Sequence, residues 1–240
     1  MRPSHRIVIL AALLALALPS SRMHATLNPG VVDSDRTFHG LTYGQWSARW
    51  WQWAFSIPVD RHPLFDTADC RAGQSGHVWF LGASFTASEP APGQFLASAT
   101  RKCTVPAGVA LFFPVLNSEA STAEGNGTTD QQLRSAAKLF QDFAANLSAE
   151  VDGAIIQRLD TYRVQSPLFT WGLLPENNVL QAIGFTHLVA GTQSPSVGDG
   201  VYLMLEPLTL GRHRIHFKGE APMFNFFLDI TYRVNVVAAE

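Results

Sequence analysis

The sequence predicts a mainly β fold: an immunoglobulin-like or jelly-roll-type antiparallel β-sandwich carrying two helical insertions. Three observations lead there. The C-terminal part holds two segments with strict period-two alternation. Many other short apolar runs are separated by Gly, Pro and Asn turns. Only two stretches repeat at helical spacing, which is too few for an α/β architecture.

Residues 1–25 stand apart from this pattern. Arg2 and Arg6 form a basic start. The apolar stretch that follows, residues 7–18, is about 12 residues long, too short to span a bilayer. The segment reads as a Sec-type signal peptide with cleavage near Ala25, although Met23 is not the small residue preferred three positions before the cut. A cut near Ala15 and Ala17 and an uncleaved anchor are the alternatives. The expected compartment is secreted or periplasmic. No later segment is long and apolar enough to span a membrane.

Removing residues 1–25 takes away Arg2, Arg6 and Arg22 and no acid, so the formal net charge moves from −2 to −5. That balance excludes nucleic acid as an expected partner. With 47% hydrophobic and 15% charged residues, residues 26–240 have the material for one well-buried sandwich domain. The two cysteines, Cys70 and Cys103, fall in the exported part, where two thiols are expected to pair.

The first helical stretch, residues 42–57, holds Trp46, Trp50, Trp51 and Trp53, four of the six tryptophans. Thr42 and Gln45 form a capping box, and Leu41 with Trp46 a hydrophobic staple. Pro58 ends it by pushing Ile57 out of the α region. Tyr43, Trp46, Trp50, Trp53 and Ile57 share one stripe, with Trp51 and Phe55 further round. Such a wide apolar arc predicts a mostly buried helix. Gln45, Arg49, Gln52 and Ser56 share a narrow polar stripe. The helix reads as a core element, as a ligand platform with the polar stripe facing a Trp-walled pocket, or as a membrane-interface helix. The last would carry more cations than Arg49 alone.

Downstream, residues 59–76 read as loop and residues 77–85 as a buried strand, with residues 95–105 pairing back onto it. Residues 109–117 are apolar on both faces, as in a strand covered on both sides. Pro114 within it demands an edge or a bulge. That run ends in the polar knot Asn117, Ser118, Glu119. The second helix is expected over residues 130–147, on the spacing of Leu133, Ala136, Ala137, Phe140, Phe143, Ala144 and Leu147. From residue 150 the chain turns β-rich. In residues 212–218, His213, Ile215 and Phe217 face one way, while Arg212, Arg214, His216 and Lys218 face the other. Residues 224–236 alternate likewise, with Asp229 on the polar side. The pair reads as half-buried antiparallel strands with surface ion pairs, or more sharply as a polyanion site.

Several segments together resemble an uncharacterised family of exported bacterial proteins. They include residues 43–53 (YGQWSARWWQW), Cys70 followed by GQSG, VWFLG at 78–82, CTVPAG at 103–108, LFFP at 111–114 and GRHRIHF at 211–217. The likeness spans nearly all of residues 26–240. It implies export, and it implies no activity.

Catalytic motifs are absent: no Gly-rich phosphate loop, HExxH, CxxC or GxSxG. The six histidines after residue 25 are His39, His62, His77, His187, His213 and His216. None forms a metal pair at i, i+4, and His213 and His216 point to opposite faces of a strand. A long-range set of His39, Glu119 and His187 stays open, as does a Ser118, His187, Asp199 triad. No metal and no cofactor are expected. Asp66, Glu119, Glu176 and Asp199 sit at turns and strand ends, where carboxylates converge in some hydrolases.

The expected site lies where the polar stripe of the Trp helix meets the polar knot. Its candidate binding residues are Gln45, Arg49, Gln52, Trp50, Asn117 and Glu119. A buried Arg49 would need a partner, and Glu119 is the expected one. Two function classes follow: a binding sandwich without catalysis, taking a small molecule, a glycan or an envelope protein, and a hydrolase or lyase acting on an envelope or extracellular polymer through carboxylates at the sandwich edge. Two ionisable groups converging in a pocket beside the helix would favour the enzyme.

Overall fold

A computed structural model describes Asn28 and residues 30–239. The signal-peptide reading, residues 1–25, lies outside them. The order of elements is α1 (Tyr43–Ser56), β1 (Val78–Phe80), β2 (Ser88–Ala91), β3 (Gln94–Pro106), β4 (Ala110–Ser121), α2 (Asp130–Asp142), β5 (Ala145–Val151), β6 (Ala154–Ile155), β7 (Arg163–Gln165), β8 (Phe169–Trp171), α3 (Val179–Ala182), β9 (Ser194–Leu205), β10 (Gly211–Ala221) and β11 (Phe226–Val237).

The strands form two sheets. One runs β1-β4-β9-β7, with β8 also on β9; the other runs β2-β3-β11-β10-β5-β6. This is the mainly β sandwich with helical insertions that the alternation predicts. Two pairings are parallel, β1 with β4 and β3 with β11, so the sandwich is not wholly antiparallel. Residues 95–105 do not pair back onto residues 77–85 as expected. They lie along β11, with Cys103 opposite Val234. The longer partner offers twelve aligned positions, whereas β1 has three residues.

β4 is covered on both sides, as its two apolar faces require. Phe113 stacks on Phe217 of β10, with centroids 5.1 Å apart. Phe112 stacks on Tyr202 of β9 at 5.3 Å and meets Tyr43 of α1 at 5.8 Å. The first sheet therefore lies between α1 and the second sheet. Each fully buried Phe of this kind contributes roughly 1.5–3 kcal/mol. Pro114 sits beside a register shift between Pro114 and Leu116, beyond the last residue that β1 covers, so it removes no ladder bond.

The cap and stop of α1 are as read: Thr42 accepts from the Gln45 N–H, Gln45 returns the bond, and Ile57 is extended before Pro58. The second helix is shorter than the spacing implies. It stops at Asp142 rather than residue 147. Leu147 belongs to β5, which pairs with β10; Asn146 at φ 51° breaks the helical path. The four-residue α3, after the turn at residues 175–178, carries no periodic signal of its own. The β10–β11 pair has the expected faces, with Ile215 and Phe217 buried. Its polar face holds the expected cross-strand pair, His216 with Asp229 at 2.8 Å; a second pair, Arg214 with Glu150 at 2.9 Å, runs to β5. Cys70 and Cys103 form a disulfide. No helix among the described residues is long and apolar enough to cross a membrane.

Candidate functional site

The polar stripe of α1 faces outward. Gln45, Arg49 and Ser56 are exposed and Gln52 is half-buried. Gln45 is occupied by the capping box, and Gln52 donates to the Thr170 carbonyl at 2.8 Å. The expected Arg49–Glu119 pair does not form. Arg49 makes no ion pair with a described residue, and Glu119 lies under the opposite face of the helix. The physical reason is phase: four indoles and Phe55 claim the sheet, which turns the narrow polar stripe to solvent where Arg49 needs no partner.

The candidate residues consequently fall into three groups. Gln45 lines a shallow hollow with Arg134 and Gln165. Arg49 and Gln52 line another, with Trp46, Trp53 and His77. Trp50, Asn117 and Glu119 converge on a cavity of about 530 Å³ between the buried face of α1 and the second sheet.

Elements of both layers build this cavity. Trp50 and Trp51 wall it from α1; Phe140 comes from α2 and Leu228 from β11; Phe85 and Phe185 come from loops. Both indoles are fixed. The Trp50 Nε1–H donates to the Leu81 carbonyl at 2.7 Å, and the Trp51 Nε1–H to the Tyr202 hydroxyl at 3.2 Å. Asn117 Nδ2 donates to the same hydroxyl at 3.2 Å. Burial raises the Tyr202 pKa far above its ordinary value, so the phenol stays protonated.

Two carboxyl groups, Glu119 and Glu124, close one end of the cavity. Glu119 Oε1 accepts from the Trp171 Nε1–H at 3.2 Å and from the Ser196 hydroxyl. Burial pushes the Glu119 carboxyl well above the usual carboxylate range, and the neighbouring charge of Glu124 pushes it further. The Ser121 hydroxyl holds Glu124 at 2.6 Å. Glu124 was not singled out by the sequence, where it lies in a small polar loop. Its spacing from Glu119 across a strand end was the available signal.

The other candidate constellations do not assemble. The Asp199 carboxylate is held by Arg163 at 2.9 Å and by Gln165 at 3.2 Å. The Ser118 hydroxyl donates to the Ala137 carbonyl at 2.6 Å, and His187 Nε2 lies 3.1 Å from the Ala123 carbonyl. The Ser118, His187, Asp199 triad is thus not formed. His39 stacks on His77 at 5.0 Å and does not meet Glu119 and His187; among the described residues no three potential ligands cluster for a metal. Asp66 is tied to Arg101 at 2.6 Å, and Glu176 is exposed.

No protein-family model matches the chain, and no curated protein sequence matches it. Among solved structures, the chain has a distant likeness to PbICP-C, solved in complex with falcipain-2, at 10% identity and a TM-score of 0.25, covering 68% of this chain and 100% of that one. The cysteine protease inhibitor EhICP2 from Entamoeba histolytica aligns at 12% identity and a TM-score of 0.20, covering 59% of this chain and 96% of that one. Amebosin, in its solution structure, aligns at 14% identity, also at 0.20, covering 59% and 97%. Likenesses this weak carry no argument about function.

Proposed function

We propose that this chain is an exported binding protein of the family its motifs resemble, and that it holds a ligand, without catalysis, in the cavity between the Trp helix and the second sheet. The carrying observation is the cavity itself. It measures about 530 Å³, has aromatic walls, and is polar mainly at the Glu119–Glu124 end. Ligand sites have this size and this mix of apolar walls with a few convergent polar groups. The hydroxyl and indole bonds on Glu119 hold it in one position, so it recognises without rearranging.

The hydrolase reading keeps one observation in its favour, because two carboxyl groups do converge beside the Trp helix. Against it, both carboxyls are already held by the fold, Glu119 by the Trp171 indole and the Ser196 hydroxyl and Glu124 by the Ser121 hydroxyl.

One titration tests both readings. The neutral dye N-phenyl-1-naphthylamine should gain fluorescence on binding the purified protein. Ala83→Phe, which fills the cavity wall, should weaken it at least tenfold. Absence of binding to the native chain overturns the proposal. Cleavage of envelope polymers that Glu119→Gln abolishes, with dye binding intact, would replace it with the hydrolase.

A further inference from the structure

The geometry points to the open main-chain edge of β4 as the recognising element of this cavity, and to an extended, apolar polypeptide segment carrying an amine at one end as its ligand. The inference rests on the cavity being a binding site, and names what it binds.

β1 covers only the start of β4. Val78–Phe80 aligns with residues 110–112. The Ala110 N–H donates to the His77 carbonyl at 3.0 Å, and the Leu81 N–H to the Phe112 carbonyl at 3.0 Å. The chain then leaves β4 for the second sheet. The Tyr232 hydroxyl donates to the Gly82 carbonyl at 2.8 Å, and Arg101 Nη1 donates to the Ala83 carbonyl at 2.7 Å.

The bulge after Pro114 sets the phase of what remains. At the far end of β4 the Thr122 N–H donates to the Pro195 carbonyl at 3.1 Å, towards β9. Ser121 turns the other way: its N–H donates to Asn126 Oδ1 at 3.1 Å, and its carbonyl accepts from the Asn126 N–H at 3.1 Å. Main-chain direction alternates along a strand, so Asn117 and Glu119 share the outward edge of Ser121. Among the described residues no strand lies along this edge beyond β1, and residues 117–119 line the cavity. Two N–H and two C=O groups thus open onto it, in pairs about 6.8 Å apart along the strand.

A compact apolar ligand fills the cavity and leaves these four groups unpaired, which costs free energy wherever water is displaced. An extended peptide pairs them by strand addition and puts alternate side chains against Trp50, Phe85 and Phe185. Charge selects further. Two acids line one end of the cavity, and among the described residues no Lys, Arg or His lines it. A ligand ammonium there is attracted by the two acidic side chains, whereas an anion meets repulsion.

The test uses the purified protein, the same dye, and a capped Val-Leu-Val-Lys peptide with its doubly backbone-N-methylated analogue. The parent peptide should displace the dye and slow amide exchange at Asn117 and Glu119 at least tenfold. The methylated analogue, which keeps the side chains, should bind at least tenfold more weakly. Equal binding of the two peptides, or unchanged exchange at Asn117 and Glu119 with peptide bound, overturns strand addition. Dye binding with no peptide competition overturns the peptide alone and leaves the cavity standing. Failure of dye and peptides together removes both.

Discussion

His62 shows how a single side chain couples this fold to pH. It is fully buried. Its Nε2 lies 2.8 Å from the Ala54 carbonyl in the last turn of α1, and its Nδ1 accepts the Leu64 N–H at 3.0 Å. The neutral ring tautomer with the proton on Nε2 satisfies both bonds. A second proton would set a donor against a donor. Burial lowers its pKa from 6.5 to about 4, and the charge of Arg101 adds to the effect. The unfolded chain therefore takes up this proton first. Stability from His62 is full above about pH 6.5 and is lost as pH falls to about 4, by roughly 3 kcal/mol in all. Glu119, with its raised pKa, has the opposite slope: its contribution is present at low pH and is lost as pH rises through its raised value. Comparing urea midpoints of native and His62→Gln proteins across pH 4–7 isolates the first effect; His62→Gln should flatten that part of the profile, and parallel profiles would refute the assignment. None of this was legible in the sequence, where His62 is one of several loop histidines. Glu119 was legible as a candidate, but with the wrong partner, because Arg49 was assigned a buried position.

At the scale of elements, α1 reaches the sheet only because glycines leave room. A Cβ on Gly198 of β9 would stand 2.7 Å from Trp51 Nε1, and one on Gly44 would stand 2.7 Å from the Gln165 carbonyl. Gly198→Ala should push Trp51 off its Tyr202 bond and cost about 1–3 kcal/mol, read as a lower urea midpoint with an unchanged m-value. A stability change under about 0.5 kcal/mol would mean that the indole relaxes freely. The helix itself was readable from cap to stop, since Thr42, Gln45 and Pro58 act within a few residues of one another. The bulge at Pro114 was readable for the same reason. The end of α2 was not: Phe143, Ala144 and Leu147 continue a helical spacing, and only pairing of β5 with β10 draws Leu147 into a strand.

The whole molecule is two sheets and an aromatic helix, joined by one covalent tie. The Cys70–Cys103 disulfide links the loop after α1 to β3 across a separation of 33 residues. Reduction should cost about 3–4 kcal/mol on the chain-entropy model, measured as the loss of unfolding free energy in reductant. Thiol labelling of the denatured, unreduced protein should find no free cysteine; labelling of both would refute the pairing. The sequence alone determined the sandwich class, the buried Trp helix with its termini, the doubly covered strand around Phe112 and Phe113, and the polar outer face of the last hairpin. Each of these follows from periodicity or capping, which act over a few residues and leave their mark in order along the chain. Tertiary structure alone decided which strands are neighbours, that Arg49 faces solvent, and that Glu124 joins Trp50, Asn117 and Glu119 at an uncovered edge of β4. Those outcomes depend on where β1 leaves that edge and on how α1 is rotated against the sheet, and packing between segments distant in sequence sets both.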